Sequence, residues 1–339
     1  MPDLDCATTS FPALIPATII GGYLGAGKTT LINHLLRQAD GERIAVLVND
    51  FGDIDIDADL IEARDEDLIS IAGGCVCCSF GNDLLDALTR VIAMQPAPQR
   101  ILIETSGVAL PRSIARTLTL MRGVTTDAVI VVADAQSLRE RAADRYVGDT
   151  VLSQLREADL VLLGKTDLAE PAAIAGLRTW LAEVAPQAVC IEMQHGRIEH
   201  TLLLADRVGF DQPAANRGLA SSRSSALASA KGAISPASSH LATTLFTSLS
   251  VRFAQPVRID EITEVLTDPA MGVARAKGLL SATDGTRWLV QQVGRRVETR
   301  GLDKPTETEP GRLVVIGVRA ELDVAALDAR LARLGAMRG

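Results

Sequence analysis

The chain has 339 residues, of which 47% are hydrophobic and only 3% aromatic, and its formal net charge is −8. This length exceeds what one hydrophobic core usually supports, so we expect two domains with aliphatic cores. The acidic balance argues against nucleic-acid binding, for which a basic face supplies the affinity. We find no apolar run of the length that a membrane helix needs and no signal-peptide pattern. Because five cysteines in so long a chain do not indicate a disulfide framework, we expect a cytoplasmic protein.

Short apolar segments alternate with helical segments over residues 17–205. Near-continuous apolar strands separated by helices predict an α/β fold whose mostly parallel sheet is covered on both faces. The predicted strands are 17–21, 43–48, 68–71, 100–104, 128–133 and 159–163, and the predicted helices are 28–39, 80–93, 149–158 and 171–184.

Composition divides the chain into four segments. Residues 1–16 are an N-terminal tail, 17–210 the α/β domain, 211–242 a Ser-, Ala- and Gly-rich flexible linker, and 243–339 a small α+β domain. In the last segment we predict strands at 245–253, 273–280, 286–293 and 313–318, and helices at 258–267 and 323–334.

A complete phosphate-binding loop occupies residues 21–30, with the sequence GGYLGAGKTT, between a predicted strand and a predicted helix. Its glycines allow backbone N–H groups to surround an anion at a helix N-terminus. We expect an exposed Lys28 to neutralise the β- and γ-phosphates and the Thr29 hydroxyl to bind Mg²⁺. The alternative is a glycine-rich turn with an accidental lysine. The candidate nucleotide-binding residues here are Gly22, Gly25, Ala26, Gly27, Lys28, Thr29 and Thr30.

The segment ILIETSG at 101–107 is an apolar strand that ends in an acid. A carboxylate at this position can hold Mg²⁺, so Glu104 is a candidate metal ligand, and the Gly107 N–H can sense the γ-phosphate. We therefore assign catalytic roles to Lys28, Glu104 and Gly107. The alternative for Glu104 is a helix-capping acid after a core strand.

The segment LVLLGKTDL at 160–168 occupies the place of a guanine-reading loop. Asp167 can accept hydrogen bonds from the guanine N1–H and N2 amine, which adenine does not offer, and the Lys165 stem can cover the base. Thr166 completes the candidate loop. The usual motif begins with Asn where this chain has Gly164, and the alternative is a polar turn after a buried strand.

Two further segments contain metal-ligand chemistry. After the second strand, at the place of a switch region, NDFGDIDID contains Asp50 and Asp53, either of which can contact a metal or the attacking water; the alternative is a solvated acidic loop.

The segment CVCC places Cys75, Cys77 and Cys78 before a predicted helix, whose N-terminus favours thiolates. Three such sulfurs suit Zn²⁺, Co²⁺ or Cu⁺. The alternatives are a redox pair of Cys75 with Cys78 and inert buried residues.

These motifs together resemble CobW-type metallochaperone GTPases. The chain is similar to them in GGYLGAGKTTLIN, NDFG, GGCVCC, ETSG and KTDL, in this order, and in RAKGLL at 275–280, Trp288 and LVVIG at 313–317. The resemblance implies a P-loop GTPase domain with GTP and Mg²⁺. It further implies slow GTP hydrolysis coupled to delivery of Zn²⁺ or Co²⁺ to a client metalloprotein. It makes the three cysteines, with help from Asp50, the metal ligands.

Three departures from the family pattern bear on function. Asp50 stands where a glutamate is usual, Gly164 replaces an asparagine, and the linker contains only His240 instead of a histidine-rich tract. Cobalt, or activation of a nitrile hydratase, therefore remains open beside zinc. A metal sensor or storage protein that nucleotide only stabilises is an alternative, and a P-loop kinase is a weaker one. We expect no nucleic-acid or membrane partner, and the sequence is compatible with a homodimer.

Overall fold

The computed structural model describes residues 14–39, 42–48, 68–70, 82–193, 197–198, 200–203, 246–302 and 310–338. The chain divides into two compact units: Met1–Ile198 with Val293–Arg296, and Glu199–Gln292 with Val297–Gly339. The predicted linker at 211–242 and most of the predicted tail at 1–16 lie outside the described residues. Among the described residues, no helix is both long and apolar enough to cross a lipid bilayer.

A parallel sheet forms the centre of the first unit, as predicted, and its seven strands include one, Val189–Glu192, that the sequence analysis did not predict. The strand order is β3-β2-β4-β1-β5-β6-β7, and every pairing is parallel. All residues of β2, β4 and β6 are buried, which explains why these strands are apolar without alternation. The strands are β1 (Ile15–Gly21), β2 (Ile44–Val48), β3 (Leu68–Ser70), β4 (Arg100–Glu104), β5 (Val124–Asp134), β6 (Leu160–Gly164) and β7 (Val189–Glu192).

Helices pack against this sheet and bury two apolar clusters on the face that carries Ile19, Val129 and Val131. One cluster joins β1, β2 and β4 to α2 and α3, and the other joins β5 and β6 to α5 and α6. The sequence analysis did not predict α3 and α4; α4 has only six residues, but the buried residues of α3 do have helical spacing, which was the available signal. The helices are α1 (Lys28–Arg37), α2 (Asn82–Ala93), α3 (Pro111–Leu118), α4 (Leu138–Ala143), α5 (Gly148–Glu157) and α6 (Pro171–Val184).

The second unit is a six-stranded sheet with two longer helices, in agreement with the predicted α+β domain. The strand order is β11-β10-β9-β12-β8-β13; β12 is antiparallel to β8 and β9, and β13 is antiparallel to β8. The sequence missed β11, whose residues are mostly exposed and lack an apolar pattern. The elements are α7 (His200–Leu203), β8 (Phe246–Phe253), α8 (Ile259–Thr267), β9 (Arg275–Ser281), β10 (Arg287–Val293), β11 (Arg296–Leu302), β12 (Gly311–Val318), α9 (Val324–Arg333) and β13 (Ala336–Arg338).

Arg100, the first residue of β4, is completely buried. Its guanidinium lies 3.0 Å from Asp127 Oδ2 and 3.6 Å from Glu42 Oε1. Thr18 Oγ1 donates a second hydrogen bond to the Asp127 carboxylate, at 3.3 Å. A buried charge of this kind is tolerated only because its partners are charged and close. The cluster therefore anchors the amino-terminal edge of the sheet, opposite the edge at which Glu104 ends the same strand.

We expect Arg100→Ala to destabilise the protein by about 3–5 kcal/mol, because it leaves buried carboxylates without their counter-charge. The measurement is urea-induced unfolding. As a control, Arg178→Ala removes an exposed ion pair with Glu192, whose atoms are 3.3 Å apart, and should cost at most about 1 kcal/mol. Equal effects of the two substitutions would contradict a stabilising role for the buried cluster.

Candidate nucleotide-binding site

Four loops meet at the carboxyl edge of the parallel sheet, where ligands of open α/β sheets bind. They follow β1, β4, β5 and β6. The register places Ile20 beside Glu104, Gly21 beside Val131, and Asp134 beside Gly164. The predicted phosphate, magnesium and base-binding segments therefore lie on adjacent strands, with β1 between β4 and β5.

The loop after β1 has the backbone geometry of an anion site. Gly22, Gly25 and Gly27 have φ angles of 133°, 72° and 102°, which side chains other than glycine rarely adopt. At Gly22 a Cβ atom would lie only 2.2 Å from the Val132 carbonyl oxygen, so glycine is also required by space. Gly27 is the N-cap of α1, and the loop therefore directs backbone N–H groups outward from a helix N-terminus.

Lys28 is buried, which contradicts the expectation of an exposed side chain. Only 7% of the residue is accessible, and Nζ donates a hydrogen bond to the Gly22 carbonyl oxygen at 3.1 Å. The physical reason is that the side chain folds back over its own loop, where a carbonyl replaces water around the ammonium group. The positive charge is thus held inside the loop, at the place where an anion would contact the backbone.

Thr29 and Glu104 are brought together although 75 residues separate them. The Thr29 hydroxyl donates to Glu104 Oε1 at 3.3 Å, and Glu104 is 2% accessible at the end of β4. A hydroxyl and a carboxylate at this spacing offer two oxygen ligands of the kind that Mg²⁺ prefers. The residues present therefore fit a magnesium ion, and the sequence named both of them.

The loop after β4 lies directly against the loop after β1. The Thr105 N–H donates to the Ile20 carbonyl oxygen at 2.9 Å. At Gly107, a Cβ atom would lie 2.6 Å from Leu24 Cδ2 and 2.8 Å from the Leu24 backbone nitrogen. Gly107 is therefore glycine because the two loops approach closely, and its backbone borders the phosphate loop. A contact between its N–H and a γ-phosphate stays a prediction.

The loop after β6 is tied to the phosphate loop by Lys165. This residue has a left-handed backbone, and its Nζ donates to Asp134 Oδ2 at 2.8 Å and to the Gly25 carbonyl oxygen at 3.2 Å. Thr166 is buried and Asp167 is exposed at the start of a short 3₁₀ turn, Thr166–Leu168. Asp167 thus has the accessibility that contact with a base requires.

Asp134 is a site residue that the sequence analysis missed. Burial raises the pKa of its carboxyl, but hydrogen bonds from Lys165 and from the Gln136 N–H outweigh this and hold the pKa below the ordinary value. The group is therefore an anion at neutral pH and can keep Lys165 in place. An acid directly after an apolar strand was the available signal, and it is the same signal that identified Glu104.

The predicted transition-metal ligands Asp50, Cys75, Cys77 and Cys78 lie outside the described residues, as does Asp53. In the part of the chain that the structure describes, no group of three or more His, Cys, Asp or Glu side chains could hold a metal ion.

Comparison with known proteins gives a family for both units. The model described as CobW/HypB/UreG, nucleotide-binding domain, matches residues 16–192, and the one described as cobalamin synthesis protein cobW C-terminal domain matches residues 246–334. The fold and the loops at its edge define a P-loop nucleotide-binding protein. The chain belongs to the CobW family.

Two curated relatives illustrate the similarity. The chain is 30% identical over 326 residues to the zinc chaperone YjiA of Escherichia coli strain K12, covering 90% of this chain and 94% of the relative. It is 32% identical over 235 residues to the zinc chaperone CobW of a Sinorhizobium species, covering 60% of this chain and 66% of the relative. The second alignment thus spans slightly less than two thirds of that relative.

A crystal structure of Zn(II)-bound YjiA GTPase from E. coli is 27% identical to the chain. The match covers 95% of this chain and 99% of that one, with a TM-score of 0.42.

Proposed function

We propose that this chain is a GTP-binding metallochaperone that couples GTP hydrolysis to the binding and delivery of Zn²⁺ or Co²⁺ to a client metalloprotein. The observation that carries the nucleotide part is the 3.3 Å contact between Thr29 and Glu104, next to the buried ammonium group of Lys28. The metal part is supported by the cysteine motif and by the names of the relatives, which are zinc chaperones.

Four residues near the phosphate loop have different roles in the proposed hydrolysis. Lys28 leaves the Gly22 carbonyl oxygen to contact the β- and γ-phosphates, which offer a stronger, charged acceptor. Thr29 and Glu104 would hold Mg²⁺, which supplies positive charge against the charge on the transferring phosphoryl group. The Gly107 backbone N–H contacts the γ-phosphate, so the loop after β4 senses whether GTP or GDP is bound. The oxygen of a water molecule forms a bond to the γ-phosphorus while the bond from that phosphorus to the bridging oxygen of GDP breaks, and GDP, phosphate and a proton are the products.

Guanine preference rests on the loop after β6. The exposed carboxylate of Asp167 offers two acceptors for the guanine N1–H and N2 amine, and Lys165 holds this loop against the phosphate loop. Gly164 lacks the side-chain amide that is usual at this position. Its backbone φ is not in the positive range, and a Cβ atom there would lie 3.7 Å from the Ala26 carbonyl oxygen. An asparagine amide at position 164 can therefore donate to the phosphate loop.

We expect Gly164→Asn to raise GDP affinity by up to about tenfold, since the added tether pre-organises the base-binding loop. The nearest obstacle is Met193 Cε at 3.4 Å, the end of a flexible side chain. The measurement is calorimetric titration with GDP. Gly164→Ala is the control because it adds the Cβ and the same loss of backbone freedom without an amide, and it should not raise the affinity. A gain in both variants would contradict the tether argument.

Lys28→Met tests the nucleotide assignment. It keeps the length and apolar stem of the side chain but removes its charge, so GTP binding should fall below detection in calorimetric titration with GTP and Mg²⁺. Thermal unfolding without nucleotide shows whether the variant is folded. Lys277→Met, the same change in β9, should leave GTP affinity unchanged. GTP bound equally well by folded Lys28→Met would contradict the P-loop assignment.

Cys77→Ser tests the metal assignment. A serine hydroxyl does not ionise as a thiol does, so Co²⁺ or Zn²⁺ affinity should fall by orders of magnitude while GTP affinity in metal-free buffer stays the same. In the unsubstituted protein, Co²⁺ should give thiolate charge-transfer absorption. Its affinity should rise when Mg²⁺ and a non-hydrolysable GTP analogue are present, because linked sites strengthen each other by the same factor.

The nucleotide dependence separates delivery from storage. Equal Co²⁺ affinity in the nucleotide-free, GDP and GTP-analogue states would be consistent with a storage or sensor protein and would contradict coupled delivery. A Cys75–Cys78 disulfide under mild oxidation, together with nucleotide-independent metal binding, would support the redox alternative.

A further inference from the structure

Two side chains of helix α5 form hydrogen bonds with the segment that follows β4, one at each end of that segment. Gln154 is 1% accessible, and its Nε2 donates to the carbonyl oxygens of Gly107 at 3.1 Å and Ala109 at 2.8 Å. One helical turn further on, Glu157 Oε2 accepts a hydrogen bond from the Arg112 N–H at 3.0 Å, near the start of α3. Residues 107–112 are thus attached to one helix by two side chains three residues apart.

The Gln154 contact is more than an ordinary surface hydrogen bond. Its amide group uses both of its donors on the same loop, and the near-complete burial of the side chain makes these bonds costly to lose. The helix itself is rigidly placed, because Val151 and Leu155 on either side of Gln154 belong to the apolar core between α5 and the sheet. Gln154 therefore restrains the loop from a helix that is itself packed into the core.

Gly107 is the residue that most needs such a restraint. A glycine has the widest choice of backbone conformations, and without a side chain it cannot be held by packing of its own. In this structure its carbonyl group is bound by Gln154, while its Cα borders Leu24 of the phosphate loop so closely that no Cβ would fit. Gln154 and the phosphate loop together select one orientation of the Gly107 backbone.

We propose that Gln154 is a positioning residue for recognition of the γ-phosphate. By holding the carbonyl groups of Gly107 and Ala109, it keeps the Gly107 N–H in the orientation that a γ-phosphate requires. Without it, the loop has to be ordered when GTP binds, and this entropic cost weakens GTP but leaves GDP, which has no γ-phosphate, unaffected. The inference rests on the proposed GTPase function and concerns the same site.

The test compares Gln154→Met with the unsubstituted protein. Methionine has similar length and helix propensity but donates no hydrogen bond. Calorimetric titrations with Mg²⁺ measure the dissociation constants of GDP and of a non-hydrolysable GTP analogue. The variant should bind GDP within about twofold of the unsubstituted protein and the analogue about tenfold more weakly, the loss expected when the backbone of about one residue has to be ordered on binding.

Glu157→Met is the matched control, because it places the same residue on the same helix and releases the other end of the segment. It should lower thermal stability without changing the ratio of the two dissociation constants. The proposal is overturned if Gln154→Met weakens both nucleotides in parallel, if it changes neither, or if Glu157→Met changes the ratio equally. If the unsubstituted protein binds no guanine nucleotide, the proposed function itself is wrong, which is a distinguishable result.

Discussion

The hydrogen bond between Thr29 and Glu104 depends on a single topological fact, the pairing of β1 with β4. This pairing places the end of β4 beside the start of the phosphate loop, with Ile20 opposite Glu104. A shift of the register by one residue would turn the carboxylate to the other face of the sheet. The aliphatic clusters packed on the sheet and the buried Arg100 cluster at the opposite edge hold this register, so the geometry at the candidate magnesium position rests on the packing of the sheet.

The loops at the carboxyl edge share a second feature. Long side chains beneath them form hydrogen bonds that restrain their backbones. Glycine-rich loops leave space for a ligand to approach the backbone, but they cannot fix their own conformation. Lys165 and Asp134 tie the loop after β6 to Gly25, and Gln154 ties the loop after β4 to α5. Each restraint is a hydrogen bond to a backbone carbonyl or a partly buried ion pair. The site therefore combines open backbone at the surface with charged or amide groups beneath it, which is the arrangement that pre-organised phosphate recognition requires.

Much of the fold could be predicted because its strands are buried on both faces. A strand such as β6 is apolar at every position and needs no tertiary information to be found. Other elements were missed for physical reasons. Helix α4 has only six residues, too few to show a helical period, the strands β7 and β13 have four residues or fewer, and β11 is exposed along most of its length. Of the site, Lys28, Thr29 and Glu104 follow from local patterns, whereas the burial of Lys28 does not.

The sequence by itself determined which candidate groups are present: a phosphate-binding loop, an acid at the end of an apolar strand, the candidate base-binding loop and a cysteine motif, each formed by a few consecutive residues. The tertiary structure alone decided which of these groups meet. It paired Thr29 with Glu104, folded Lys28 back onto Gly22, and placed Gln154 against Gly107 across 47 residues. The reason is that local patterns depend on the order of neighbouring side chains, while contacts at long range depend on strand order and on which helix packs over which loop.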